Sequence, residues 1–473
     1  MPQDILSCPR SDVTVDYGAP SGPLEIWRHS LGHGGINWRP LPPRVVEGVA
    51  KLKPRLVRIF LQEFFDLYPA AGRFNWTRLD PFLDSFARTG AKVVAAIAIK
   101  PRPLYPRIDP LVWRPSDVGQ WQHLIREMVR RYSVQRPIVT HWEIGNETDI
   151  GENGGCPYLI PNPADYFEYY KMTIAPVLEA FPQAKVGGPA CCWVDNEPLP
   201  GLVQFCRRTG TRLDFISWHR YDDDVAKHAE GVRKGWKLLE GFPGKRPEMF
   251  VTEWAKSFEG VSVEDRAFHP RRAALAAATA MAFLDERLDG SFYYHIQDQT
   301  FYRADFEPFF SPAGLAGMHT HWNEIPHRFG LFGVGETSPD SVQEVRPQYF
   351  AFQMLGRLGA ERVAATSDHP DIRVLAGRAG GRTGAVLVNL NRQTSSDRVV
   401  TVRFANLPPG VKTLCTWRID AGRRWDAEAL ELLPLERREV DAPASFGAQV
   451  FCPADSVTMI ALEPLAATRA SRP

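Results

Sequence analysis

The sequence predicts an α/β fold, a (β/α)8 TIM barrel with an appended C-terminal β-sandwich. Three observations predict it. Between residue 29 and residue 358, eight short apolar runs alternate with amphipathic segments, as in parallel strands joined by crossover helices. After residue 358 the helical period stops, and strand-like runs follow one another between Gly, Pro and Asp clusters. No Gly-x-Gly-x-x-Gly opens a helix and no Walker loop occurs, so the usual marks of a doubly wound open sheet are missing.

Residues 1–28 contain two strand-like runs, Val13–Tyr17 and Leu24–Trp27, and are expected to join the sandwich. The barrel, residues 29–358, draws its strands from Gly34–Trp38, Leu56–Phe60, Lys92–Ile99, Ile138–Trp142, Lys185–Gly188, Phe215–His219, Met249–Thr252 and Phe292–Ile296. Helical segments between them include Pro43–Leu52, Thr77–Thr89, Ser116–Tyr132, Pro163–Phe181 and Arg271–Leu288. Several begin on capping residues: Asn75 or Thr77, Ser116 followed by Asp117, and Asn162 before Pro163. After the last helix, Pro347–Leu358, the sandwich of residues 359–473 takes strands from Val363–Thr366, Ile372–Ala376, Ala385–Leu390, Val399–Phe404, Thr413–Ile419 and Ser456–Leu462. Gly377–Gly384 reads as a hairpin turn between two of them.

Composition narrows the partners. At 473 residues, the chain suits a barrel plus a smaller unit. Lys and Arg number 56 against 55 Asp and Glu, a net charge of +1, so no bulk field draws nucleic acid or an anionic membrane. Seven cysteines without a CxxC point to reduced thiols rather than a disulfide framework. The start of the sequence carries no basic segment followed by an apolar run, so a cytoplasmic location is expected. The most apolar helical stretch, Ala273–Leu284, falls short of the roughly 20 residues of a membrane span and reads as a core helix. The sequence leaves homo-oligomerisation open.

The chemistry is carried by two glutamates. Thr140-His141-Trp142-Glu143-Ile144-Gly145-Asn146-Glu147-Thr148 follows the β-branched run Ile138-Val139 and leads into the glycine-rich loop 151–155. Glu147 therefore stands where a buried strand gives way to a loop, the position at which barrel enzymes keep their reactive groups. Glu253, in Met249-Phe250-Val251-Thr252-Glu253-Trp254, occupies a matching strand end. Two carboxylates so placed suit acid–base work on a glycosidic bond, in which one protonates the leaving oxygen and the other attacks the anomeric carbon.

Asn146-Glu147 after the Trp-Glu-Ile-Gly run resembles the acid/base motif of the clan A glycoside hydrolases, and Thr252-Glu253-Trp254 resembles their nucleophile strand. The closer resemblance is to glycoside hydrolase family 39, the β-xylosidase and α-L-iduronidase family. It rests on Trp218-His219-Arg220-Tyr221, on Gly72-Arg73-Phe74-Asn75-Trp76 and on Arg346-Pro347-Gln348-Tyr349-Phe350. The resemblance implies a retaining glycosidase working by double displacement on an oligosaccharide or glycoside. Glu147 would be the acid/base, Glu253 the nucleophile and Asn146 the 2-hydroxyl contact, with His219 and Tyr221 in the site and Tyr221 bonded to the nucleophile. His33, at the loop of the first strand, His295, and Trp322 as a stacking surface complete the expected sugar-binding set. The alternative is a non-catalytic carbohydrate-binding protein on the same barrel.

Two departures leave the sugar open. Where the family's β-xylosidases tend to carry Arg-x-His on the second strand, this chain has Arg58-Ile59-Phe60, and its eighth strand reads Tyr293-Tyr294-His295-Ile296-Gln297. His319, His321 and His327 with Glu324 have spacing that could suit a transition metal. Histidines also line sugar clefts by hydrogen bonding, and the implied chemistry needs no metal, so neither metal nor cofactor is assigned. Asp222-Asp223-Asp224 reads as a solvated helix start.

Overall fold

The computed structural model describes residues 7–257, 271–322, 326, 328–334, 344–422 and 430–465. The first strand, β1 (Arg10–Pro23), runs through the first predicted run and stops before the second. Residues Ile26–Arg28 form a 3-10 turn instead. The polar alternation of β1, buried at Ser11, Val13 and Val15, suits a strand with one covered face.

Eight strands then close a parallel barrel: β2 (His29–His33), β3 (Leu56–Leu61), β4 (Lys92–Ile97), β5 (Val139–Ile144), β6 (Lys185–Cys191), β7 (Phe215–Tyr221), β8 (Glu248–Ala255) and β9 (Gly290–Tyr294). Seven lie close to the predicted runs. The first is displaced: Gly34 and Gly35, expected to open it, have φ of 100° and 92°, a left-handed backbone that ends a strand. Val94, Phe215, Phe250 and Phe292 fill the barrel interior as one apolar layer.

The helices are α1 (Pro43–Leu52), α2 (Leu79–Ala87), α3 (Val118–Val129), α4 (Pro163–Ala180), α5 (Leu199–Thr209), α6 (Val225–Leu239), α7 (Arg271–Asp285), α8 (Arg303–Phe306), α9 (Pro312–Trp322) and α10 (Pro347–Gly356). Side-chain caps form where Asp117 accepts from Gln120 N, Asn162 from Ala164 N and Asp224 from Ala226 N. In α7, residues Arg272 to Phe283 are all buried. A helix buried all round needs apolar contact on every side, and α7 obtains it by packing against α6, α10 and the second sheet. Among the described residues no helix is long and apolar enough to cross a membrane.

The second sheet holds β1 and β10 (Glu361–Ser367), β11 (Ile372–Ala379), β12 (Arg382–Asn389), β13 (Arg398–Ala405), β14 (Gly410–Ile419), β15 (Glu436–Ala442), β16 (Phe446–Cys452) and β17 (Ser456–Pro464). Its order is β15-β14-β17-β12-β11-β10-β1-β13-β16. A single apolar core draws on all nine strands, from Val13 and Val402 to Leu387, Val440 and Leu462. The sheet therefore folds over onto itself in the manner of a sandwich. Gly380 and Gly381 make the β11–β12 turn with φ of 55° and 79°, as the hairpin reading requires. Two strands of this sheet, β15 and β16, have no counterpart among the predicted runs. The sequence of β15, ERREVDA, is mostly exposed, and an edge strand of this kind carries charge rather than an apolar alternation.

Candidate active site

The loops at the C-terminal ends of the barrel strands surround a cleft of about 490 Å³. Glu147 and Glu253 both line it. Glu147 lies beyond the end of β5 on a strained turn: Gly145 has φ of 93° and Glu147 itself 44°. The turn is fixed by Glu147 N donating to Ala190 O at 2.9 Å, and by Ile150 N and Gly151 N donating to Glu147 O at 3.0 and 2.8 Å. A non-glycine residue in the left-handed region is held there at a cost of about 1 kcal/mol or more. Gly154 leaves the space into which the carboxylate falls, since a Cβ there would stand 1.9 Å from Glu147 Oε2.

Glu253 reaches the cleft because the β7–β8 register slips. Trp218 pairs with Val251 and His219 with Glu253, so Thr252 is extra. A bulge of this sort re-aims the side chains beyond it, and it sets Glu253 beside His219. His219 Nδ1 is 2.7 Å from Glu147 Oε1 and 3.7 Å from Glu253 Oε2. One donor atom each from Glu147, His219 and Glu253 lie within 4.8 Å of one another.

Three groups differentiate the two carboxylates. Arg58, fully buried on β3, donates Nη1 to Glu253 Oε1 at 2.6 Å, Nε to Glu143 Oε2 at 2.7 Å and Nη2 to Asn146 Oδ1 at 2.7 Å. Burial works against the guanidinium charge, but Glu143 and Glu253 outweigh it and leave the Arg58 pKa raised. Tyr221 donates its hydroxyl to Glu253 Oε2 at 2.6 Å. Glu253 therefore accepts on both oxygens, an environment suited to a carboxylate. Among the described residues Glu147 has no cation in hydrogen-bond contact, and burial followed by the nearby Asp149 carboxylate pushes its carboxyl up to about 8. Burial also holds the His219 imidazole down to about 4, so the histidine beside Glu147 is neutral at pH 7. At that pH the cleft presents a protonated acid, Glu147, beside a Glu253 side chain whose two oxygens both accept hydrogen bonds.

The other predicted residues are distributed unevenly. Asn146 is buried under the cleft, its Oδ1 taken by Arg58 and its Nδ2 3.3 Å from Gly154 O. Trp322 lines the cleft with Ile36, Phe60, Tyr294 and Met318. His33 and His295 stack on each other at 5.9 Å between centroids, both buried, and neither belongs to the cleft lining. His319 is exposed on α9; the His321 side chain, Glu324 and His327 fall outside the described residues. The aspartate run divides its work: Asp224 caps α6 while Asp223 accepts from Lys256 Nζ at 2.8 Å and lines the cleft. Of the described residues, only Glu147, His219 and Glu253 group closely enough to hold a metal ion. Both Glu253 oxygens already accept hydrogen bonds and Arg58 brings a positive charge there, so a cation would meet repulsion at that ligand.

Arg58 is the site residue that the sequence reading missed. Its signal was an arginine inside the apolar run Leu56–Leu61, a charge that must find a buried partner.

The sequence model of the Glycosyl hydrolases family 39 matches residues 58–236, the stretch from Arg58 through Glu147, His219 and Tyr221 into α6. Over that stretch the chain is similar to glycosyl hydrolases family 39. Among the relatives of this chain is a β-xylosidase of Caldicellulosiruptor saccharolyticus, 24% identical over 322 residues, the match covering 61% of this chain and 58% of the relative. The chain thus spans a little over half the length of that relative. A glucosidase structure from Croceicoccus marinus shares the fold with a TM-score of 0.72 at 18% identity, covering 97% of this chain and 100% of that one. A β-xylosidase structure from Caulobacter crescentus does so with a TM-score of 0.71 at 19% identity, covering 96% and 100%.

Proposed function

We propose that this chain is a retaining, β-xylosidase-like glycoside hydrolase of family 39. The observation that carries the reading is the separation of the two carboxylates, whose nearest relevant oxygens lie within 4.8 Å. Retaining enzymes hold their carboxyl groups about 5 to 5.5 Å apart, whereas inverting ones leave roughly 6.5 to 9.5 Å for a water.

In the first step Glu253 attacks the anomeric carbon and forms a glycosyl ester, while Glu147 gives its proton to the departing oxygen. In the second, Glu147, now ionised, takes a proton from water, whose oxygen displaces Glu253 and restores both groups. Arg58 and Tyr221 hold Glu253 in line, and His219 orients Glu147. The substrate class is an oligosaccharide or glycoside; the β-xyloside preference is taken from the named relatives.

Hydrolysis of 4-nitrophenyl β-xyloside followed by proton NMR tests the reading. The first-formed sugar is expected to keep its anomeric configuration, and Glu253→Ala is expected to lose about 10⁴-fold or more in kcat. An inverted first product, or full turnover by Glu253→Ala, would sink the mechanism. Sugar binding by the wild type across a broad glycoside panel without any turnover would replace it with the carbohydrate-binding alternative.

A further inference from the structure

We propose that Trp193 is the platform of a leaving-group subsite, taking the flat face of a second sugar ring or an aryl aglycone; this rests on the glycosidase reading above. Trp193 follows β6 and is 38% exposed, unusual for so large an apolar side chain. It lines the cleft together with Glu147 and Cys192. It also lines an adjoining cavity of about 260 Å³ with Asn196, Lys227 and Glu230. The indole therefore stands between the two spaces and borders both.

Its position is built. The Arg220 guanidinium lies over the indole at 4.5 Å from the ring centroid, and Arg220 Nη2 is itself held by Asp222 Oδ2 at 2.5 Å. A cation stacked on an indole fixes the ring plane. On either side of Trp193 in sequence, Cys192 N and Asn196 Nδ2 donate to Asp149 Oδ2 at 3.1 and 2.8 Å. Asp149 is two residues from Glu147, so the aromatic loop and the acid loop are tied together.

The barrel order gives the direction. Ile36, Phe60 and Tyr294 wall the cleft from the β2, β3 and β9 side, while β6 lies across the barrel from β2. Glu147, on neighbouring β5, delivers its proton to the departing oxygen, so the departing group extends on the β6 side, over Trp193. An indole face suits the C–H face of a pyranose or a phenyl ring, and the polar side chains beyond it suit hydroxyls.

The test compares wild type, Trp193→Ala and Trp193→Phe on β-xylosyl fluoride, whose leaving group has no ring, and on xylobiose and 4-nitrophenyl β-xyloside. In Trp193→Ala the ratio of kcat/KM on xylobiose to that on the fluoride is expected to fall about tenfold, and Trp193→Phe to recover most of it. The nitrophenyl substrate reports whether an aryl ring uses the same surface. A ratio that stays within about twofold of wild type overturns the proposal. Should the wild type turn over none of the three, the glycosidase reading fails by itself. Calorimetric titration with xylobiose then decides: about tenfold weaker binding by Trp193→Ala supports the platform, while equal binding or none overturns it.

Discussion

Glu147→Gln should make the protein more stable, and by an amount that grows with pH. The Glu147 carboxyl sits at about 8 in the fold against an ordinary value of 4.5. Between those values the folded chain keeps a proton that the unfolded chain has released, so raising the pH favours unfolding. The slope is about 1.4 kcal/mol per pH unit. From pH 4.5 to pH 7 it accumulates to roughly 3 kcal/mol, and it levels off above pH 8. Glutamine has the same shape and cannot ionise, so the substitution removes this penalty while leaving the other buried acids in both proteins. Urea unfolding of wild type and variant at pH 5, 6, 7 and 8 measures the difference. The variant is expected to gain little at pH 5 and roughly 3 kcal/mol at pH 7, while losing hydrolysis of unactivated glycosides. A stability difference that stays flat across this range, or a variant less stable at pH 8, would show that Glu147 does not hold its proton in the fold.

Two further substitutions probe the frame around the carboxylates. Arg58→Met strands Glu143 and Glu253 in the barrel interior without their shared counter-charge; thermal and urea unfolding should register a loss of about 3–5 kcal/mol, and steady-state kinetics a fall in kcat/KM. A wild-type unfolding midpoint in that variant would refute the role given to Arg58. Gly154→Ala places a methyl on the Glu147 carboxylate, 1.9 Å from Oε2, and should cost about 100-fold in kcat through displacement of the acid. Unaltered kcat would mean that the acid can adopt another rotamer at no cost.

The barrel was legible because its strands are buried on both faces and read as unbroken apolar runs. Glu147 and Glu253 were legible because each interrupts such a run at its end. What the sequence hid lies in the backbone and between strands. The extra residue at Thr252 that turns Glu253 toward His219 has no mark of its own in Met249–Trp254. Arg58 took its meaning from partners 85 and 195 residues away. The place of His33 and His295 near strand ends suits sugar contacts, yet at the ends of neighbouring β2 and β9 they stack on each other and stay out of the cleft lining. The first barrel strand was placed too late because Gly34–Trp38 is apolar, while the true strand, His29-Ser30-Leu31-Gly32-His33, carries three polar side chains.

The place of β1 has a consequence for synthesis on the ribosome. It lies inside the second sheet, antiparallel to β10 and parallel to β13, with Val13 opposite Ser367. At about 5 to 20 residues per second, some 20 to 70 s separate the emergence of those two partners. Throughout that interval the nascent chain carries a 14-residue strand with both hydrogen-bonding edges open, long enough to seek the wrong neighbour. Its alternate charged and polar residues, Arg10, Asp12, Thr14 and Asp16, are the protection it carries while it waits for the far end of the chain.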